Sequence, residues 1–111
     1  MDKLVYVYKI TNRINGKKYV GRSLWPDERF KQHMNALRRK QHTCKNFQAD
    51  YDKYGEEAFE VSVICLKEGL GRNCNEYFYM ILYRTYDERY GYNCNDPVMK
   101  RYLCNFKEKK R

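Results

Sequence analysis

Two tyrosines, Tyr8 and Tyr19, flank an Asn15–Gly16 pair; Arg29 and His33 follow, and a carboxylate, Glu76, lies well beyond them. Together these residue types form a usable chemical set. A guanidinium grips a non-bridging phosphate oxygen through a rigid, charge-assisted fork. A carboxylate oxygen is a hard ligand suited to Mg²⁺ or Mn²⁺. An imidazole exchanges a proton near neutral pH. A phenol is a poor base at its usual pKa of about 10, although nearby positive charge favours its ionised form. Hydrolysis of a phosphate ester needs a nucleophilic water, neutralised charge at phosphorus and help for the leaving oxygen. Each residue taken alone also has an ordinary reading. Tyr8 and Tyr19 suit a sheet core, Arg29 a helix surface, His33 a partly buried helix position, and Glu76 a helix start. Asn93, further on, suits a turn.

The elements that would position this set are legible. Leu4–Thr11 is β-branched and aromatic, which predicts a strand. Asn15–Gly16 is a strong turn signal, and Lys18–Arg22 reads as the return strand. With Asn12 paired near Lys17, Ile10 faces Tyr19 and Tyr8 faces Gly21. Both tyrosines then share one side of the sheet, and Gly21 leaves space beside Tyr8. A one-residue slip would put the tyrosines on opposite sides. Ser23–Pro26 is a connection in which Trp25 is expected to pack the strand–helix corner, with a nucleic-acid contact as the lesser alternative. A helix starts at Pro26 or Asp27 and runs to about Arg39 or Lys40. Phe30, Met34 and Leu37 form its apolar stripe, with Arg29 and His33 one turn apart beside it. A second helix covers about Lys45–Tyr54, stopped by Gly55. Ala58–Leu66 reads as a third strand, expected to be central and buried. Asn73 is suited to cap a helix through about Tyr86, with Glu76 in its first turn. Gly91–Asn95 is irregular, and Pro97 opens a last amphipathic helix with Val98, Tyr102, Leu103 and Phe106. The order is β-β-α-α-β-α-coil-α. The expected class is α/β in the α+β sense, a small, mostly antiparallel three-stranded sheet flanked by helices.

The chain has 111 residues, enough for one modest core. No stretch approaches a bilayer-spanning length of uncharged apolar residues, and no membrane partner is expected. The start lacks the pattern of a secretory signal, so an intracellular location is expected. The net charge is +9, from 23 Lys plus Arg against 14 Asp plus Glu. The positive charge is concentrated in residues 1–49, which hold 12 basic and 3 acidic side chains. Phosphate backbones are attracted to such potential. The 5 cysteines are odd in number and form no C-x-x-C pair. That spacing favours free, mostly buried thiols over a disulfide framework or a zinc site.

Tyr6–Val7–Tyr8 and Tyr19–Val20–Gly21 resemble the paired motifs of the GIY-YIG nuclease family. Arg29, His33, Glu76 and Gly91–Tyr92–Asn93 follow in the family's order, so the resemblance spans about residues 4–95. Val7 and Val20 stand where isoleucine is usual, and Tyr6 stands where glycine is usual. The resemblance implies a DNA endonuclease dependent on Mg²⁺, with Mn²⁺ as substitute, of the phage or viral homing type. It implies that Glu76 holds the metal, Arg29 a phosphate oxygen, and that Tyr8 takes the proton of the attacking water while Tyr19 orients water or phosphate; the two tyrosine roles could be exchanged. His33 would donate to phosphate or assist proton transfer, and Asn93 would buttress the glutamate or the backbone. Cleavage would leave 5′-phosphate and 3′-hydroxyl ends. DNA is the expected partner, touched by Lys9, Lys17, Lys18, Arg22, Arg38, Arg39 and Lys40. A homodimer or a separate DNA-binding subunit is a further expectation, and the location implied is the bacterial cytoplasm or a virus-infected cell. Residues 1–96 would form the catalytic domain, with 97–111 a basic helix or tail docked on it. The competing reading is a nucleic-acid-binding module with weak or no cleavage.

Overall fold

The structure, a computed structural model, describes residues 5–67 and 76–93. The Asn73 cap, the helix from Pro97 and the basic tail lie outside the described residues. Strand β1 (Val5–Asn12) and strand β2 (Lys18–Ser23) form the hairpin. Helix α1 (Pro26–Arg38) and helix α2 (Lys45–Tyr54) follow, then a 3-10 turn (Glu56–Ala58), strand β3 (Phe59–Lys67) and helix α3 (Glu76–Leu82). The sheet is antiparallel in the order β2-β1-β3.

The central strand is therefore β1, and β3 is an edge, which corrects the expectation of a buried third strand. β1 is covered on both faces. Tyr8 and Ile10 pack with Met34 and Leu37 of α1, Phe47 of α2, and Phe59 and Tyr92. On the opposite face Val7 packs with Val20 and with Met80 of α3. On β3, Val63 shares the face of its partner Tyr8 yet stays 52% exposed. Val7 pairs with Cys65 and Tyr8 with Val63, so Ile64 is an extra residue that bends this edge.

α1 and α3 end by a common device. Lys40 adopts φ 57°; its N–H bonds to the Leu37 carbonyl, and the Gln41 N–H reaches back to Ala36. Arg84 does the same after α3 at φ 56°, bonding Ile81 while Thr85 reaches Met80. Both are left-handed terminating turns that satisfy the last carbonyls. They stop α1 just short of the expected Arg39–Lys40 and stop α3 at Leu82, well before Tyr86. α2 ends where expected, with Gly55 at φ 85°.

The segment after α3 returns to the open edge of β2. Gly91 bridges Lys18 in parallel, and the Tyr92 N–H donates to the Lys18 carbonyl at 2.9 Å. A Cβ on Gly91 would collide with the Thr85 Cα and the Lys18 carbonyl oxygen, so only glycine lets the two backbones approach. Tyr92 fills the core; its hydroxyl donates to Asp50 at 2.6 Å and accepts from Asn12 at 3.1 Å. Burial, and then the Asp50 bond, push its phenol above the ordinary range. Gly91→Ala is expected to cost about 1–3 kcal/mol through overpacking against backbone that cannot yield. Chemical denaturation checks this, and an unchanged midpoint would contradict the close approach.

Candidate active site

The hairpin places Tyr8 opposite Gly21 and Ile10 opposite Tyr19, as the turn signal predicts. A Cβ on Gly21 would sit 2.5 Å from the Tyr8 hydroxyl oxygen and 2.7 Å from Cζ. Glycine here makes room for the ring, which is 1% exposed.

α1 runs over this face and presents His33. Its Nε2 lies 3.0 Å from Tyr8 Oη, and its Nδ1 lies 2.9 Å from His42 Nε2. Tyr19 meets His33 edge-on at 4.7 Å between ring centroids, and also approaches Phe47. The His33 and His42 rings lie edge to edge along this bond, with centroids 5.1 Å apart and planes 27° apart. The Cys44 N–H donates to His42 Nδ1 at 3.0 Å. The site thus joins Tyr8, His33, His42 and the Cys44 amide in one hydrogen-bonded line.

Sequence reasoning selected His33 and assigned His42 no role. His42 lies nine residues later, past the end of α1. The left-handed turn at Lys40 folds it back onto His33. A second histidine just beyond the helix was the available signal, but the turn that makes it a partner carries no glycine to announce itself.

Arg29 is exposed one turn before His33, and its Nη1 donates to Gln32 Oε1 at 2.8 Å. It is close enough for its charge to act on both histidines. Burial, then Arg29 and His42, hold His33 down at about 3 from its ordinary 6.5. Burial and Arg29 lower His42 as well. Both rings are therefore neutral at pH 7. Both His33 nitrogens are engaged inside the protein.

Asn93 reaches β2 from the other side. Its Oδ1 accepts from the Val20 N–H at 2.9 Å, and its Nδ2 donates to the Val20 carbonyl at 2.8 Å. The carboxamide imitates a neighbouring strand and fixes the backbone between Tyr19 and Gly21. Glu76 is placed through its backbone as the first residue of α3. Tyr6 is half-buried opposite Ser23. Trp25 does not pack the corner; it is 70% exposed, and its backbone N–H donates to Ser23 Oγ at 3.0 Å.

The expected DNA-contacting cations divide. Arg39 and Lys40 are exposed beyond α1, Arg22 is exposed near the end of β2, and Lys17 is half-exposed at the hairpin turn. Arg38 is held by Glu56 through two bonds of 2.6 and 2.7 Å, and by Asn35. Lys9 and Lys18 lie over the Tyr83 ring at 5.3 and 5.7 Å. By strand alternation both point to the α3 face, opposite Tyr8 and Tyr19. Burial, and then Lys9, push the Lys18 ammonium down. Cys44 is disulfide-bonded, which corrects the expectation of five free thiols. Among the described residues no three His, Cys, Asp or Glu side chains gather as a metal cluster, and no helix is long and apolar enough to cross a membrane.

The GIY-YIG catalytic domain family matches residues 4–70. The chain belongs to that family. Solved structures share the fold. The catalytic domain of intron endonuclease I-TevI, carrying a glutamate-to-alanine substitution, has a TM-score of 0.70 at 26% identity, covering 86% of this chain and 96% of its own. Another structure, the catalytic domain of homing endonuclease I-TevI, has a TM-score of 0.69 at 24% identity, covering 86% and 100%. No curated protein matches the chain in sequence.

A histidine kept neutral by burial couples folding to pH. The unfolded chain takes up protons near the ordinary value of 6.5, whereas folded His33 does not until about 3. Stability is therefore full above about pH 6.5 and falls as pH drops toward about 3. In His33→Phe, the decline of unfolding free energy between about pH 7 and 5, above the carboxylate range, should be shallower than in wild type. Urea denaturation across that interval tests it, and equal slopes would contradict the neutral buried ring.

Proposed function

We propose that this protein is a metal-dependent DNA endonuclease that hydrolyses phosphodiester bonds to leave 5′-phosphate and 3′-hydroxyl ends. The observation that carries the reading is the convergence of Tyr8, Tyr19 and His33 within the field of Arg29, in a chain of a catalytic-domain family. The endonuclease domains with this fold support the same reaction class.

Tyr8, as phenolate, accepts the proton of the attacking water. The water oxygen bonds to phosphorus as the bond to the 3′ oxygen breaks, and that oxygen takes a proton from solvent. Arg29 grips a non-bridging oxygen whose negative charge grows in the transition state. Tyr19 orients the water or the phosphate. Among the described residues no three His, Cys, Asp or Glu side chains gather as a metal cluster, and the metal reading is carried by the chemistry of Glu76, whose hard carboxylate oxygens match Mg²⁺ or Mn²⁺. Glu76 would hold one Mg²⁺ or Mn²⁺, with waters and phosphate oxygens completing the shell. When bound, that ion supplies charge neutralisation at phosphorus. Asn93 keeps β2 in place, so Tyr19 stays in register with the site.

Lys17, Arg22, Arg39 and Lys40 would meet the DNA backbone, while Lys9 and Lys18 would serve the α3 face. Cutting both strands with one such site calls for a homodimer or two successive nicks, and a separate DNA-binding subunit would supply specific base contacts. The setting proposed is the bacterial cytoplasm or a virus-infected cell. The test is cleavage of supercoiled plasmid with Mg²⁺, Mn²⁺ or EDTA. Metal-dependent nicked or linear product is expected from wild type, with Glu76→Gln inactive but still bound to DNA. Tyr8→Phe should lower the rate by about 10²–10⁴-fold. Cleavage that survives EDTA or E76Q would sink the proposal. Folded protein that binds DNA without cutting would return the binding-module reading.

A further inference from the structure

We infer that the backbone amide of Cys44 fixes the hydrogen-bond direction of the whole Cys44–His42–His33–Tyr8 line, so that Tyr8 Oη accepts from His33 and His42 is a positioning residue for the tyrosine. This rests on the proposed role of Tyr8 as base.

The polarity follows from one group whose role cannot change. A backbone N–H only donates. Its 3.0 Å bond to His42 Nδ1 requires that nitrogen to be unprotonated. A neutral imidazole carries one N–H, so the hydrogen of His42 sits on Nε2. That nitrogen faces His33 Nδ1 at 2.9 Å and must donate to it. His33 Nδ1 is then an acceptor, and its own hydrogen sits on Nε2, 3.0 Å from Tyr8 Oη. The hydroxyl oxygen receives this bond and turns its own hydrogen elsewhere.

Two consequences follow for the chemistry. A bond donated to the phenol oxygen favours its ionised form over the neutral one. In addition, His33 cannot take the Tyr8 proton without acquiring hydrogens on both nitrogens. It would then press a second hydrogen into its bond with His42, and the Cys44 amide prevents His42 from reversing. His33 is thereby held as a donor rather than a base. Burial and the neighbouring Arg29 oppose the doubly protonated ring as well. The two imidazoles meet edge to edge along their hydrogen bond, and their contacts with Phe47 hold both rings in place.

The test reads the hydrogens directly. Long-range ¹H–¹⁵N correlation spectra of histidine-labelled protein near pH 7 should show His33 and His42 both as Nε2–H tautomers. His33 as the Nδ1–H tautomer or as imidazolium would overturn the inference, with no nuclease assay involved. His42→Ala should mix the His33 tautomers and lower kcat by roughly 10–100-fold, the usual scale for an outer partner of an active-site group, with KM for plasmid unchanged. His42→Gln offers an oxygen to the Cys44 amide and an N–H to His33, and should restore most of both losses. Wild-type cleavage by H42A, or H42A and H42Q losing activity alike with the His33 tautomer unmoved, would also overturn it. If wild type does not cleave at all, the nuclease reading fails, while the tautomers still decide the direction of the line.

Discussion

Asn12 donates its N–H to the Lys17 carbonyl at 2.8 Å, and Gly16, at φ 79°, returns its own N–H to the Asn12 carbonyl at 2.8 Å. This turn sets the register of β1 against β2, and the rest of the site depends on it. Side chains alternate across a strand, so a slip of one residue would send Tyr19 to the far face and set Tyr8 against a bulkier neighbour than Gly21. The turn is reinforced from outside the hairpin. Asn12 Oδ1 accepts from the Ile14 N–H, and its amide donates to Tyr92. Asn15 bonds Asp50, which also receives the Tyr92 hydroxyl. Asn12 and Tyr92 are buried, so a shift in register would strand their polar groups away from water, while the Asn15–Asp50 bond lies at the surface.

The register divides the sheet between two tasks. One face carries Tyr8, Tyr19 and the larger aromatic core, roofed by α1 and α2. The other carries Val7 and Val20 against α3, with Lys9 and Lys18 folded over Tyr83. Asn93 and Gly91 serve both faces, since they occupy the open edge of β2 itself. They give the edge strand hydrogen-bond partners that it would otherwise seek elsewhere. The late Gly-Tyr-Asn element thus has three separable tasks: close backbone approach at Gly91, a core ring at Tyr92, and a strand-mimicking amide at Asn93.

The histidine pair shows how a nearly dry interior gives a weak group a defined state. In water either imidazole could hold its hydrogen on either nitrogen or take up a second one. Against Phe47, next to Arg29 and in line with the Cys44 amide, each has one arrangement. The same packing that keeps the rings neutral keeps Tyr8 supplied with a donor. Site chemistry and acid sensitivity therefore share one origin.

Much of this was written locally. Asn15–Gly16 specifies its hairpin through the backbone conformation it favours, Pro26 with Asp27 and Glu28 starts α1, and Gly55 ends α2. Arg29 and His33 lie one turn apart because the helical period dictates it, and Tyr8 and Tyr19 share a face because the local turn sets the register of the two strands. Interactions between distant segments decided the remainder. Whether β3 pairs at an edge or the centre depends on which strand is covered on both sides, a matter of where α3 packs. The return of His42 depends on a left-handed turn at a lysine, which no propensity marks. The opposite placement of Lys9 and Lys18 follows from the alternation that unites the tyrosines, but their partner Tyr83 arrives only once the chain has folded. Periodicity and turn chemistry act within a few residues and are readable in a sequence; pairing order, tautomer direction and the closing of a strand edge depend on groups that meet only in space.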